Sequence, residues 1–520
     1  MGAFEKYFSD DIKNLGAISV SVCNLTTKVD LFDYQNSINE SVKYWQQTQP
    51  FLCSRVTSPN ELDSSFEYMS NEQIRNSSNI SYLYFKRDLI QQSVDNCKDY
   101  VKLLVEREFT IPIDVENGPL WRIMFIKTNE SVSDGFFNFD FIITSSHCFF
   151  DGQSIFVAIV NLFSIIDSIF NGKLKKEEIL HSKVAPSIEE IIKNQLGDKI
   201  LYIPKFKKLN GFNPPNSFMV KNTHTDRLVH LPIDIINNSE LNGAFYSSSN
   251  NQEYISLKNL VELSQNSVTK MHFMLFTGDA LKKFLAACKS NNAKVTSVIN
   301  MMFVLGWRIA YEKLNEKLKT EDFESSWNSR YPNLSNTKLK TAKSQKITYS
   351  MITNLRNYLK SIPNDMLAWM CTNIFSSFEK ETNIDEPEFW QKTFWEYARI
   401  ESENLHSRLE QGEQFQIFDA AEHLKTEESR VHFRLSNLIL PSSFVLNHSF
   451  KNFYLYDIYN TSSRINKTNL SYVNVINYNE RLQCILSYNS YLVKNETIKI
   501  VMDSVTEIFG IICENYSNEI

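Results

Sequence analysis

The 520-residue sequence predicts a mixed α/β (α+β) protein, on three observations. In the first third of the chain, segments with a two-residue hydrophobic period stand beside segments with a helical period. The same mixture resumes after a proline-interrupted stretch. Hydrophobic residues at 42% and charged residues at 22% give the balance of a chain that buries a core.

In chain order, Ser37 to Gln49 has helical spacing and stops before Pro50. Leu89 to Glu108 reads as a second helix. Leu120 to Lys127 and Phe136 to Ser145 read as strands around a polar turn. The second puts Phe137, Phe139, Phe141 and Ile143 on one side, as a half-buried strand does. The run His147-Cys-Phe-Phe-Asp151-Gly152 follows. After it, about Ser154 to Phe170, Phe156, Ile159, Val160, Phe163 and Ile166 fall on one helix face, and Asn171-Gly172 closes the helix. Its polar breaks at Asn161, Ser164 and Asp167 mark a buried helix rather than a membrane span.

From 182 to 269 prolines and the run 247–252 loosen the pattern, as in a connection between two halves. Met271 to Phe276 then reads as a strand. Thr277 is the expected N-cap of a helix over Gly278 to Lys289, and Thr296 of a long apolar helix over Ser297 to Leu318. Ile347 to Leu355 reads as a strand, 386–411 as helical, and 431–440, 452–458, 471–477 and 482–488 as strands. A last helix covers about Thr497 to Glu514. No internal repeat is visible. The expected units are 1–181, a connecting region 182–269, and 270–520.

Charge and cysteines exclude several function classes. A net charge of −6 gives no electrostatic footprint for nucleic acid or an anionic membrane. The eight cysteines form no CxxC pair, so the usual zinc spacing is absent and no metal is expected. The N-terminus lacks an apolar leader, which leaves a cytoplasmic protein with reduced thiols as the expectation.

The chemistry concentrates in the HxxxDG run. With nine His and 23 Asp, HxxxD arises by chance roughly 0.4 times in this chain, and a following Gly lowers that to roughly 0.01. His230-Leu-Pro-Ile-Asp234 supplies a control. It fits HxxxD but lacks the Gly and lies in the proline-rich connection. His147 instead sits between a strand and a helix, where catalytic groups sit on a rigid scaffold. A histidine there can take the proton of a hydroxyl or amine attacking an acyl carbonyl. Asp151 can hold the loop through a buried ion pair with an arginine. A satisfied core histidine is the competing explanation of His147.

HCFFDG resembles the HxxxDG motif of the superfamily that includes chloramphenicol acetyltransferase, plant BAHD enzymes, peptide-synthetase condensation domains and fungal-type alcohol acetyltransferases. Further segments agree in order. Gly2 to Phe8 is similar to the opening of alcohol acetyltransferases, and Gln49 to Arg55 to their "HPxLRxR" segment. Ile113-Asp114 with Gly118-Pro-Leu-Trp-Arg122 is similar to "FD…GPLWR". Lys294-Val-Thr296, Asn354-Leu-Arg356 and Phe433 to Leu438 match the second half, the last resembling "SNLG". The resemblance spans nearly the whole chain.

It implies two chloramphenicol-acetyltransferase-like subdomains with a tunnel between them. His147 would be the general base, and Asp151 and Gly152 structural, with Arg356 the aspartate's partner. No cofactor would be bound, acyl-CoA being a co-substrate that meets a small, apolar alcohol or amine. A monomer without a transmembrane segment is expected. Departures refine this. Ser146 replaces the first His of the condensation-domain pattern, no adenylation or carrier domain is attached, DFGWG is absent, and Ile439 replaces the Gly of SNLG. They favour a stand-alone acyltransferase. The alternatives are a condensation-like enzyme using a carrier-protein thioester, or a non-catalytic binding or scaffold protein that kept the fold.

Other constellations are weaker. Ser436 and Asn437 are candidate oxyanion donors. Lys338, Lys340, Lys343 and Lys346 fit CoA phosphates, an acidic carrier protein or, more simply, a solvated loop. His406/Glu410 and His423/Glu427 have helical spacing but no third metal ligand. Cys148, Trp121 and Arg122 read as packing or structural residues.

Overall fold

The computed structural model describes residues 17–57, 65–76, 80–85, 99–131, 135–173, 186–197, 253–255, 267–320, 346–359, 367–368, 370–415, 431–439, 450–463 and 469–518. Two six-stranded sheets organise them.

The first sheet is built from β1 (Ile18–Thr27), β4 (Ile80–Phe85), β5 (Trp121–Ser131), β6 (Phe137–Ser146) and β7 (Glu253–Ile255), with β12 (Phe453–Ser462). Its order is β12-β1-β6-β5-β4-β7. The second is built from β8 (Thr269–Thr277), β9 (Ile347–Asn354), β10 (Cys371–Phe378), β11 (Val431–Ile439), β13 (Asn469–Tyr478) and β14 (Arg481–Asn489), in the order β10-β9-β11-β13-β14-β8. A small hairpin, β2 (Ser54–Thr57) with β3 (Ser65–Tyr68), stands apart.

Helices cover the outer faces. α1 (Gln35–Thr48) and α4 (Gly152–Phe170) pack together, while α2 (Asn71–Asn76), α3 (Asp99–Glu108) and α5 (Ile188–Leu196) are shorter. On the second sheet lie α6 (Gly278–Ser290), α7 (Val295–Thr320) and α9 (Asn495–Asn518), with α8 (Phe394–Glu410) against α7. α4 is long and apolar enough to cross a membrane by composition, but Phe156, Ile159, Phe163 and Ile166 are buried in the core of the first half.

The two halves repeat one topology. In the first, β1 runs antiparallel to β6, β6 antiparallel to β5, and β5 parallel to β4. In the second, β8, β14, β13 and β11 repeat those three relations in the same sequence. α4 follows β6 as α9 follows β14. The sequence shows no repeat because strand pairing constrains hydrophobic pattern rather than residue identity.

Several expectations change. β1 was not expected, although Ile18, Val20 and Val22 alternate with Ser19 and Ser21. Its polar side is buried too, and Asn460 Nδ2 donates to Ser21 Oγ at 2.7 Å. β6 is buried on both sides rather than half-buried, because Asp140, Ile142 and Thr144 face a second layer. Thr277 stands at the N-cap of α6 but makes no side-chain cap bond. Thr296 lies inside α7, and its hydroxyl accepts from Asn437 Nδ2 at 2.6 Å. The chain also does not divide cleanly at 182–269. β7, from within that stretch, pairs with β4, and β12, from beyond it, is an edge strand of the first sheet.

Candidate active site

His147 is the first residue after β6. Its backbone N–H donates to Ala17 O at 2.6 Å, which ties the turn to the residue before β1. The ring is buried, with Nδ1 2.7 Å from Phe150 O. A carbonyl oxygen only accepts, so Nδ1 carries a proton, and in the neutral ring the lone pair is on Nε2. The turn that holds the ring also selects its tautomer.

Asp151 closes that turn and caps α4. Oδ1 accepts from Ser154 N at 2.8 Å, satisfying one of the exposed donors of the first helical turn. Oδ2 accepts from Arg356 Nη1 at 2.5 Å and from Met370 N at 2.9 Å. Arg356 Nη2 donates to Ser154 Oγ at 2.8 Å and Ala368 O at 3.0 Å. Ser154 Oγ lies 2.8 Å from Ala368 O and 3.1 Å from Ala368 N. Asp151 and Arg356 are buried, so each charge depends on the other and on these polar contacts. Gln153 and Asn354 add a further bond across the halves. Arg356 is itself set by Asn354 Oδ1, which accepts its backbone N–H at 3.0 Å.

Gly152 belongs to the same assembly for a steric reason. A Cβ there would lie 2.7 Å from Leu438 Cδ2, because the end of β11 packs on the first turn of α4. Ser436 shares the Leu438 side of β11, whereas Asn437 points to the opposite side and holds Thr296. The structure thus brings His147, Asp151, Gly152 and Arg356 together, sets Ser436 on the strand that meets them, and turns Asn437 away. Sequence reasoning missed Ser154, Ala368 and Met370. Ala368 and Met370 contribute only backbone atoms, which no side-chain motif encodes.

A second histidine, His432, is completely buried in the second half. His432 Nδ1 accepts from Thr348 N at 3.0 Å and Nε2 lies 2.8 Å from Tyr311 Oη. Complete burial pushes its pKa down to about 3, so it stays neutral. Cys371, beside the ion pair, is held protonated by burial and by the charge of Asp151. Cys148 is fully buried. Trp121 Nε1 donates to Leu52 O at 2.9 Å, and Arg122 Nε to Glu108 Oε2 at 2.8 Å, both anchoring segments of the first half. His406 and Glu410 form an exposed pair at 3.2 Å, and Lys346 pairs with Glu379 at 2.6 Å on the surface. Gly2 to Phe8, His230, Lys338, Lys340, Lys343 and His423/Glu427 lie outside the described residues.

Comparison with known proteins agrees with this architecture. A family model described as alcohol acetyltransferase matches residues 71–421. No curated protein sequence matches the chain. Among solved structures, the chain is similar to TRI3 trichothecene 15-O-acetyltransferase from Fusarium sporotrichioides, at 12% identity and TM-score 0.61, covering 98% of this chain and 94% of that one. It is similar to the first condensation domain of the CDA synthetase, at 9% identity and TM-score 0.57, covering 99% and 95%. Polyketide synthase associated protein 5 from Mycobacterium tuberculosis matches at 11% identity and TM-score 0.54, covering 96% of each chain. At these identities the structures share a fold with this chain, that of the chloramphenicol-acetyltransferase-like proteins.

Proposed function

Because the chain belongs to the alcohol acetyltransferase family and is an acyltransferase, we propose that it moves an acyl group from acyl-CoA to an alcohol or amine, with His147 as general base. The observation that carries the assignment is the bond between His147 Nδ1 and Phe150 O, which leaves Nε2 as the basic nitrogen. His147 Nε2 takes the acceptor's proton as its oxygen or nitrogen attacks the thioester carbonyl. The tetrahedral oxyanion then collapses, the C–S bond breaks, and the imidazolium returns the proton to the leaving thiolate. Ester or amide and free CoA thiol are the products. Asp151 is a positioning residue. Its ion pair with Arg356 fixes the turn that presents the ring. Ser436 is the candidate oxyanion donor from β11. A buried donor aimed at developing charge is worth more than one in water.

The test is thiol release from acetyl-CoA in the presence of alcohols, compared with release from a carrier-protein acetyl thioester. Wild-type protein releases thiol from acetyl-CoA, and His147→Ala loses about 10²–10⁴-fold in kcat with its melting temperature retained. Near-wild-type turnover in that variant removes the general-base role. Turnover only with the carrier thioester replaces the donor.

A further inference from the structure

The side of the second sheet that faces the first half carries a strip of polar residues that a structural core does not call for. Neighbours across paired strands share a side, and so do residues two apart along one strand. Past Leu470, which joins the core under α6, α7 and α9, the sides of β13 and β14 separate. Ile476 and Ile485 join the hydrophobic core of the first half, whereas Val473, Val475, Cys484 and Leu486 join the core under α6, α7 and α9. Leu438, two residues from Ser436, packs against the first core, so the strip faces the seam between the halves.

One row crossing the strands runs Ser350, Arg434, Tyr472, Ser487. The next row pairs Ser436 with Asn474. The row after that holds Leu438 and Ile476, and Leu438 is the residue packed on Gly152 beside the His147 turn. All six polar residues are buried. Asn474 is 1% exposed, and among the described residues its Nδ2 has no hydrogen-bond partner. The same holds for Ser350 Oγ and Ser487 Oγ. Such orphaned donors are rare in a settled core and cost stability unless something satisfies them. Apart from Tyr349, the opposite side of the same strands is apolar at the matching positions, with Met351, Phe433, Leu435, Val473, Val475 and Leu486.

We propose that this strip is a specificity-determining wall of the substrate path, and that it selects a substrate segment carrying carbonyl, ether or hydroxyl oxygens, with Asn474 as its main reader. The proposal rests on the acyl-transfer reading and deepens it. It replaces the expectation of an apolar acceptor, because a hydrocarbon chain would leave these donors desolvated and unpaired. A wall built to bond an oxygen rejects the analogue that lacks it far more strongly than an apolar wall rejects an added group. The oxygens can belong to the acceptor or to the amide-bearing arm of the donor.

The experiment compares wild type with Asn474→Val and with Ser350→Ala/Ser487→Ala. Acetyl-CoA is assayed against hydrocarbon alcohols and against diols and hydroxy-esters of matched length. A second donor, an acetyl thioester lacking the pantetheine amides, is run in parallel. If the oxygens come from the acceptor, wild type prefers oxygenated alcohols, and Asn474→Val loses on the order of tenfold in kcat/KM for them with little change for hydrocarbon alcohols. If they come from the donor, the loss appears as a raised KM for acetyl-CoA and vanishes with the truncated thioester. In both cases the melting temperature of the substrate-free variants is unchanged or raised, because an unsatisfied buried group has been removed. Unchanged kinetics together with a lowered melting temperature make the strip a structural element and overturn the proposal. A wild-type protein inert toward every thioester overturns the acyl-transfer reading, and this proposal with it.

Discussion

The turn from β6 into α4 and the turn from β14 into α9 occupy equivalent places in the two halves, and only the first holds the HxxxDG run. Both are tied down in the same way. His147 N donates to Ala17 O at 2.6 Å, and Ser490 N donates to Val268 O at 2.9 Å, each carbonyl belonging to the residue before the first strand of its half. Beyond that bond they differ. Residues 147–151 are buried throughout, whereas Tyr491 is 41% exposed and Lys494 is also exposed. The second turn is closed within its own half, with Ser490 Oγ donating to Val268 O at 2.9 Å and Tyr488 Oη donating to Asn495 Oδ1 at 2.7 Å. The first is closed by the other half, through Arg356, Ala368 and Met370. One backbone device thus becomes a candidate active site only where a second layer covers it and supplies charge.

The largest expected effect on this contrast comes from removing the buried cation. Arg356→Ala leaves the Asp151 carboxylate buried without its counter-charge, at a cost of about 3–5 kcal/mol, read by urea denaturation. Lys494→Ala, at the exposed turn, shifts the same transition by less than about 0.5 kcal/mol. Equal effects at the two turns would show that the ion pair does not brace the first one.

A smaller effect follows from the contact between the halves. Gly152→Ala drives a methyl into Leu438 and costs about 1–3 kcal/mol. If that contact is the cause, Gly152→Ala/Leu438→Ala recovers part of the loss in a double-mutant cycle. Strict additivity would place the strain elsewhere. The smallest effect has the opposite sign. Gly510 lies in α9, the counterpart of α4, and a Cβ there meets nothing within 4 Å. Gly510→Ala is expected to raise stability by about 0.5–1 kcal/mol through helix propensity, measured as a higher melting temperature. A loss would mean that α9 is as tightly covered at that point as α4 is at Gly152.

Much of this molecule was legible in the chain because its elements follow simple periods. The Phe137–Ile143 alternation marks β6, and the apolar face from Phe156 to Ile166 marks α4, each ending within one or two residues of expectation. β1 carries an equally regular alternation, yet its serines suggest a solvated side. Burial of that side is decided by Asn460, which lies 439 residues from Ser21. The repeat of topology was invisible because pairing relations are not residue identities.

The sequence by itself determined the candidate chemistry: His147, Asp151 and Gly152 share one short run, and their spacing is a local property of a strand-to-helix turn. It also supplied Arg356 as a partner for Asp151, by resemblance rather than by any local pattern. Tertiary structure alone decided the rest. It set β12 in the first sheet, turned Asn437 toward Thr296, brought Leu438 onto Gly152, and faced the Asn474 strip into the seam. The physical reason is common to these cases. Periodicity fixes which residues share a side of an element, but what that side meets is set by packing between elements far apart in the chain, and burial then decides whether a polar side chain is surface, brace or site.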